Sequence, residues 1–202
     1  AAKLSNEKAG GSPTALPIAE TATGHIRTNN PPNLISITDG QIVLDSKLFY
    51  EGQKPAIDVG LSVSRVGGKT QAHALRTAAA TLRLDYAQFL ELETFTRFGG
   101  MPDARVKSQL TRGARIRAIL AQPQLAPLTL GEEIALVTAV QDGLLDVLPV
   151  TNILAFRAGL PAALARDAGG ALRQIASTGV LDEAGTVQLR GALRNYTAET
   201  ST

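Results

Sequence analysis

The stretch Pro55-Ala-Ile-Asp-Val-Gly-Leu-Ser-Val-Ser64, followed at once by Arg65-Val-Gly67, decides how this chain is interpreted. Small and β-branched residues dominate the run, which predicts a short strand that ends in a loop. A single arginine stands where that strand would end. A guanidinium in such a place can reach outward as a planar fork and meet phosphate oxygens two at a time. Arg65 is therefore a candidate phosphate-contacting residue.

The composition argues against several classes of protein. The chain has 202 residues, 44% of them hydrophobic, which is enough for one large domain or two small ones. Its 20 basic and 18 acidic residues nearly balance and are evenly spread, so nucleic-acid binding has little support. There is no cysteine, and the two histidines, His25 and His73, lie far apart and near no acidic cluster. We therefore expect no disulfide and no metal site.

The chain also lacks the sequence features of membrane insertion and secretion. No apolar run approaches the ~18 residues that a membrane span needs. The start of the chain has no apolar signal region, which predicts that a secretory signal is absent. The chain starts without Met, which is what a fragment of a longer protein would show.

Before about residue 70, β-branched runs are broken by Gly, Pro and Asn. The pattern predicts short strands and a loop, and we expect part of a mixed sheet that is too small to stand alone. The predicted strands are residues 14–20, 34–38 and 56–59, the predicted loop is residues 22–33, and residues 42–50 are ambiguous between strand and helix.

After residue 70 the pattern becomes helical. A long helix is expected to begin at Lys69-Thr70, and its apolar stripe is Leu82, Tyr86, Phe89, Leu92, Phe95 and Phe98. Gly99-Gly100 would stop it, and Pro102-Asp103 would open a second helix near residues 104–121. Thr129 and Glu132 have the spacing of a capping box, which predicts a third helix whose core face extends to Leu144 and Leu148.

Shorter helices are expected over residues 151–196, in a compact helical bundle. The predicted breaks are Gly159-Leu-Pro161, Gly169-Gly170 and Gly179. The polar residues 197–202 are predicted to be a frayed tail.

One glycine-rich segment could be mistaken for a phosphate-binding loop. Gly67-Gly-Lys-Thr70 matches the end of G-x-x-x-x-G-K-[ST], but the first glycine of that motif would fall on Val63. We therefore interpret Gly67-Gly68 as the end of the loop that carries Arg65.

Residues 55–64 resemble the alpha/beta signature of rotary ATPases, P-x-x-[DN]-x-x-x-S-x-S. The following Arg65 matches the arginine that the alpha subunit of F-type ATP synthase offers to a nucleotide on its neighbour. Further matches occur in the order of that subunit's C-terminal half. They are residues 11–18, 33–42 and 48–52, Arg112-Gly113 and Gln122-Pro-Gln124.

This resemblance implies an α+β fold in two parts. Residues 1–70 would be the C-terminal part of a RecA-like α/β nucleotide-binding domain. Residues 71–202 would be an all-α helical C-terminal domain. The phosphate loop and the Mg²⁺-positioning carboxylate of a full alpha subunit have no match in this chain, so we expect it to be inactive alone.

The resemblance also implies a mechanism. Alpha and beta subunits alternate in a hexamer around a rotating gamma stalk, and ATP is made or hydrolysed on beta. Arg65 would act in trans as an arginine finger, with Ser36 and Val63 lining the same interface. On the residues alone, Ser36 could equally be a strand-end hydroxyl bonded to nearby backbone.

The family's alpha subunit also holds a nucleotide that is not turned over. Gln122 and Gln124 match paired glutamines beside the adenine, and an amide offers both a donor and an acceptor to an adenine edge. Phe49, Lys54 and Pro55 match the same pocket. Arg is common at the position of Lys54, and lysine lacks its flat stacking surface. ATP or ADP with Mg²⁺ is expected in the full-length subunit, with no tight binding to this chain alone.

Two other functions stay open. One is a non-enzymatic helical interaction module, and the other is a non-catalytic subunit of a related hexameric rotary or secretion ATPase. As an ATP synthase subunit, the chain would contact beta, gamma and the delta or peripheral-stalk subunits, and no nucleic acid. It would lie peripherally on the cytoplasmic side of the bacterial plasma membrane, and touch the membrane only through the complex.

Overall fold

The computed structural model describes residues 3–20, 31–97, 99 and 103–201. The chain divides into two compact units. The first unit comprises residues 1–52 and 56–67, and the second, which we call the helical unit, comprises residues 53–55 and 68–202. The described part of the chain is mostly helical with one small sheet. The division into domains 1–70 and 71–202 remains a prediction.

The first unit is built around a two-stranded antiparallel sheet. Strands β1 (Gly40–Gln41) and β2 (Val63–Ser64) pair in the register Gly40↔Ser64 and Gln41↔Val63. Helix α1 (Pro31–Ile37) precedes β1, and helix α2 (Ser46–Tyr50) follows it. Asp45 caps α2 by accepting a hydrogen bond from the Lys47 amide at 2.7 Å.

The predicted strand at residues 34–38 is wrong, because α1 occupies that position. The side chains of Ser36 and Thr38 donate to the carbonyls of Asn33 and Leu34, each at 2.8 Å. These bonds reach back three or four residues, as hydroxyls do on a helical turn. The β-branched Ile35 and Ile37 favoured a strand in the prediction, but in so short a segment they do not prevent a helix.

The other two predicted strands, at residues 14–20 and 56–59, are not present as strands in the structure. Residues 14–20 form no strand, and Leu16 and Ile18 are 82% and 100% exposed. Residues 56–59 contribute only an isolated bridge from Ile57 to Leu44. A strand needs a partner for its backbone N–H and C=O groups, and no such partner lies among the described residues for 14–20. Most of the predicted loop at 22–33 lies outside the described residues, as does His25.

The helical unit contains α3 (His73–Ala78), α4 (Leu82–Arg97), α5 (Ala104–Leu120) and α6 (Leu130–Gln141). It continues with α7 (Ile153–Asp167), α8 (Gly169–Thr178) and α9 (Glu183–Thr200). Helix α4 packs on α5, and α7 packs on α9. The largest fully buried side chains are Phe156, Ile116, Ile134, Leu136, Leu145, Leu148, Ile153, Leu160, Leu164, Ile175, Leu189 and Leu193.

The structure confirms the predicted starts of helices α5 and α6. The Asp103 side chain accepts from the Val106 amide at 2.8 Å and opens α5. At the start of α6, the Glu132 amide donates to Thr129 Oγ1 at 3.4 Å, and the Thr129 amide donates to Glu132 Oε2 at 2.8 Å. Both ends of the predicted capping box are therefore present.

Several helix boundaries differ from the prediction. Residues Gly67–Thr70 form a 3₁₀ turn, and the long helix α4 begins only at Leu82. Helix α6 ends at Gln141, because Gly143 takes a left-handed conformation with φ 70°, so Leu144 and Leu148 lie beyond it.

Near the end of the chain, packing prevails over local signals. Helix α7 passes through the predicted break at Gly159–Pro161, held by the fully buried Phe156 and Leu160. Helix α8 begins at Gly169 and ends before Gly179, which has φ 68°. The predicted tail is helical to Thr200, and the hydroxyl of buried Thr197 donates to the Leu193 carbonyl at 2.8 Å.

Candidate functional site

Arg65 lies directly after β2 and is tied to the segment that leads into β1. Its backbone amide donates to the Asp39 carbonyl at 2.7 Å. Its guanidinium donates through Nη1 to the Ser36 carbonyl at 3.0 Å and through Nη2 to the Ile35 carbonyl at 2.9 Å. These carbonyls belong to the last turn of α1, where backbone acceptors have no partner within the helix. Arg65 thus caps the C-terminal end of α1, and its backbone and guanidinium are held by one short segment.

The close approach of β1 to β2 depends on Gly40. A Cβ on Gly40 would lie 2.5 Å from the Val63 carbonyl oxygen and 3.0 Å from the Ser64 Cα. Both are backbone atoms, which cannot swing aside as the end of a flexible side group does. Glycine therefore permits the strand pairing that fixes the start of the Arg65 loop. The Asp39-Gly40 turn could be predicted from the sequence. The close approach to Val63 and Ser64, which requires glycine at position 40, could not.

Ser36 and Val63 come together with Arg65 in the first unit. The Ser36 carbonyl receives the guanidinium, while the Ser36 hydroxyl donates to the Asn33 carbonyl at 2.8 Å. In this arrangement Ser36 has the local backbone bond that the alternative interpretation expected. Val63 pairs with Gln41, and its side chain is 41% exposed. Whether either residue lines a subunit interface stays a prediction.

The structure brings two of the five candidate adenine-site residues together in the helical unit. The Gln122 amide donates to the Lys54 carbonyl at 2.9 Å, so the loop after α5 is tied to the segment that contains Pro55. The Gln122 side chain donates through Nε2 to the Ala126 carbonyl at 3.2 Å. This bond leaves the side-chain oxygen of Gln122 as an acceptor. Gln124 is exposed in the turn that follows.

Phe49, the fifth candidate, belongs to the first unit. It lies in α2, is 51% exposed, and contacts the neighbouring Tyr50 ring edge-on with the ring centroids 5.9 Å apart. A half-exposed aromatic face can stack on a planar ligand. Its role in a nucleotide pocket stays a prediction.

Helix α5, which carries the Gln122 loop at its end, is held against α4 by ion pairs that include Arg112 with Asp85 and Arg117 with Glu93. Arg117 donates to both carboxylate oxygens of Glu93, at 2.9 and 2.7 Å, and its guanidinium carbon lies 4.7 Å from the centroid of the Phe89 ring. The hydrogen bonds and the charge of Arg117 lower the pKa of Glu93, and the same bonds raise the pKa of Arg117. Gly113 lets the helices approach, because a Cβ there would lie 2.0 Å from Phe89 Cγ.

A second arginine of α5 anchors the loop after α6. Arg115 is only 7% exposed, and its Nε donates to the Leu145 carbonyl at 2.6 Å. Its Nη2 donates to the carbonyls of Asp146 and Leu148, each at 2.8 Å. Sequence reasoning missed this residue, because three of the groups that it binds are backbone carbonyls thirty or more positions away, and every residue has such a carbonyl.

The described residues contain no group of three His, Cys, Asp or Glu side chains arranged to hold a metal ion. His73 opens α3 and is exposed. None of the helices in the described ranges is both long and apolar enough to cross a membrane.

Comparison with known proteins identifies the family. Residues 1–64 match the nucleotide-binding domain of the ATP synthase alpha/beta family, and residues 71–196 match the C-terminal domain of the ATP synthase alpha/beta chain. The chain is 54% identical over 202 residues to ATP synthase subunit alpha 3 of Paraburkholderia xenovorans (strain LB400), and the match spans 100% of this chain and 38% of that relative.

Two further relatives agree with this assignment. ATP synthase subunit alpha 2 of Gluconobacter oxydans (strain 621H) is 56% identical over 196 residues, which cover 97% of this chain and 39% of the relative. ATP synthase subunit alpha 2 of Burkholderia thailandensis is 58% identical over 161 residues, which cover 80% of this chain and 29% of the relative. The chain thus spans well under half the length of these relatives, and it belongs to the alpha subunits of F-type ATP synthase.

Proposed function

We propose that the chain is part of a non-catalytic alpha subunit that supplies Arg65 in trans to an ATP site on beta. The observation that carries this proposal is the anchoring of Arg65. Its backbone amide and two of its guanidinium nitrogens are bonded to the carbonyls of residues 35, 36 and 39. The side chain is exposed, and a guanidinium has further N–H groups beyond those used by the carbonyls.

An anchored but exposed guanidinium suits phosphoryl transfer. The transferred group passes through a transition state in which negative charge is spread over its oxygens. A donor that is already oriented stabilises this charge without a reorganisation cost at the moment of reaction. Arginine fingers are worth roughly 10³–10⁵ in rate, which corresponds to about 4–7 kcal/mol at roughly 1.36 kcal/mol per tenfold.

The second nucleotide, held by alpha itself and not turned over, would use the loop after α5. Gln122 keeps its side-chain oxygen as an acceptor, which fits the exocyclic amino group of an adenine. Gln124, Lys54 and Pro55 would complete this part of the site, and Phe49 of the first unit stays a predicted nucleotide contact. We name no Mg²⁺ ligand among the described residues, where no three His, Cys, Asp or Glu side chains are arranged to hold a metal ion.

The assembly follows from the same proposal. The subunit would alternate with beta in a hexamer around gamma, contact the delta or peripheral-stalk subunits, and belong to an ion-translocating complex on the cytoplasmic side of the membrane. The first unit would be the C-terminal part of a RecA-like domain. The exposed apolar side chains of this unit, such as Ile18, Ile37 and Tyr50, fit a surface that is covered in a larger assembly.

The test is steady-state ATP hydrolysis by the full-length subunit assembled with beta and gamma. We expect Arg65→Ala to lower turnover by roughly a thousandfold while the complex still assembles. Arg105→Ala, which removes an exposed arginine of α5, is the matched control and should leave turnover unchanged. Unchanged turnover with Arg65→Ala would favour the interaction-module function instead.

A further inference from the structure

An open cavity in the helical unit is used by neither nucleotide-site proposal. It lies between α3, α6 and α9 and has a volume of about 280 Å³. That is close to the lower limit of small-molecule sites, roughly 300–1,000 Å³. Its innermost lining includes Ala74, Ile134 and Leu189, which are at most 7% exposed. The apolar part of its lining is aliphatic, and among the described residues the aromatic ring at its edge is the imidazole of the exposed His73.

The charged groups at the mouth of the cavity neutralise each other. Arg190 donates through Nε to Asp142 Oδ2 at 2.8 Å and through Nη2 to Asp142 Oδ1 at 3.1 Å. This is a bidentate ion pair, in which two N–H groups of the planar guanidinium bind the two carboxylate oxygens. An anionic ligand would have to displace Asp142 from Arg190, and a cationic ligand would have to displace Arg190 from Asp142. The remaining titratable lining residue is the exposed His73.

Most polar side chains in the wall already have partners. The Thr81 hydroxyl and the Gln141 amide are bonded to each other, and Arg112 and Asp85 complete their network. The Thr186 hydroxyl donates to the Asp182 carbonyl at 2.7 Å. Two lining hydroxyls, those of Thr77 and Thr138, have no hydrogen-bond partner within the described ranges. They leave the cavity with neutral hydrogen-bonding groups.

We propose that this cavity binds a small uncharged aliphatic molecule that carries one hydroxyl or carbonyl group. The aliphatic side chains would cover the apolar body, and the hydroxyl of Thr138, which is partly buried whereas Thr77 is exposed, would bond the polar group. Charged analogues would bind more weakly, because they lose hydration and gain no unpaired partner at the mouth. The proposal is independent of Arg65.

The test is a titration of the 202-residue chain, followed by the backbone amide NMR signals, with three matched probes. They are cyclohexylmethanol, cyclohexanecarboxylate and cyclohexylmethylammonium. We expect the alcohol to cause saturable shifts at the cavity residues, with a dissociation constant at or below about 1 mM, a level that corresponds to weak specific binding. Each charged probe should bind at least about fivefold more weakly, since the ion pair at the mouth must open. No saturation, shifts spread over the surface, or equal binding of a charged probe would overturn the proposal.

Two variants with matched controls locate the site. Thr138→Val removes a lining hydroxyl and should weaken alcohol binding at least about threefold, as expected for the loss of one hydrogen bond. Thr94→Val, on the exposed side of α4, should not. Ala78→Leu fills the cavity and should abolish the shifts, while Ala87→Leu, at an exposed position of α4, should leave them. If Ala78→Leu fails to fold, Thr138→Val decides alone, and unchanged binding by that variant would overturn the proposal.

Discussion

Arg65 donates a 3.0 Å hydrogen bond to the backbone carbonyl of Ser36, a residue 29 positions earlier in the chain. Helix α1 and the Arg65 loop are thereby joined through a backbone group rather than through the serine side chain. The consequence is that the guanidinium position depends on the path of the backbone from α1 through β1. Substitutions that alter this path should affect Arg65 without touching it.

Gly40→Ala is the most direct such substitution. The added Cβ would lie 2.5 Å from the Val63 carbonyl oxygen, so β1 and β2 must separate. Misplacement of a catalytic group by about 1 Å can cost on the order of a hundredfold in rate, and we expect a turnover loss of about that size in the assembled complex.

Gly60→Ala is the control for this prediction. A Cβ on Gly60 would meet only the side-chain Oδ1 of Asp58, at 3.2 Å, so a small side-chain shift accommodates it. Turnover by the Gly60→Ala complex should stay within a few-fold of the unmodified one. Normal assembly and an unmodified rate of ATP hydrolysis in the Gly40→Ala complex would show that the pairing of β1 with β2 does not position Arg65.

A second glycine tests the packing of the helical unit. Gly113→Ala would place a Cβ 2.0 Å from Phe89 Cγ, and Phe89 is only 3% exposed. Overpacking of this kind typically costs about 1–3 kcal/mol, and the melting temperature should fall by roughly 2–4 °C per kcal/mol in a chain of this size.

The matched glycine is Gly191, also within a helix but with no atom within 4 Å of an added Cβ. Gly191→Ala should raise the free energy of unfolding by about 0.5–1 kcal/mol, because alanine loses less backbone entropy in a helix than glycine. Thermal melts of both variants make the comparison. Equal stability of the two would show that the close contact between α4 and α5 has been overestimated.

The ion pair between Glu93 and Arg117 should make stability depend on pH. Hydrogen bonds from Arg117 lower the pKa of Glu93 in the folded chain from its usual value of 4.5. Because the folded pKa lies below the unfolded one, ionised Glu93 favours the folded state above pH 4.5. This contribution is lost as the pH falls through the lowered folded pKa.

Glu93→Gln should therefore melt at a lower temperature than the unmodified chain at pH 7, and the difference should shrink as the pH falls below 4.5. Thermal melts at several pH values measure it. Glu91→Gln, at an exposed position of the same helix, controls for the loss of a charge and should show little difference at any pH. A constant difference between Glu93→Gln and the unmodified protein would contradict the assignment.

Local signals explain which parts of the fold were predictable. The stripe that includes Tyr86 and Phe89 and the capping box at Thr129 depend on residues three or four positions apart, so the sequence displays them directly. Helix α1 could not be told from a strand, because one of its capping groups is Arg65, far along the chain. Likewise, Pro161 stays within α7 because neighbouring helices bury that helix.

In the candidate site, too, features that depend on neighbouring residues could be predicted, and features that depend on distant contacts could not. Arg65 could be singled out from the residues around it, because a lone arginine after a short strand is a visible pattern. Its acceptors are backbone carbonyls, which every residue has, so the sequence could not identify them. The contact between the Gln122 amide and the Lys54 carbonyl was hidden for the same reason.

We infer that Arg65 stabilises the transition state of a reaction on a neighbouring subunit. The most direct measurement separates turnover from ATP affinity in assembled complexes that carry Arg65, Arg65→Lys or Arg65→Ala. A group that acts only in the transition state should lower kcat and leave ground-state binding nearly unchanged. We predict that Arg65→Ala lowers kcat by roughly a thousandfold, while the ATP dissociation constant at the beta site changes by no more than a few-fold. Arg65→Lys should recover little, because lysine cannot donate as a planar fork. A kcat that stays the same in both variants, or a loss of ATP affinity that explains the whole effect, would show that Arg65 does not act in the transition state.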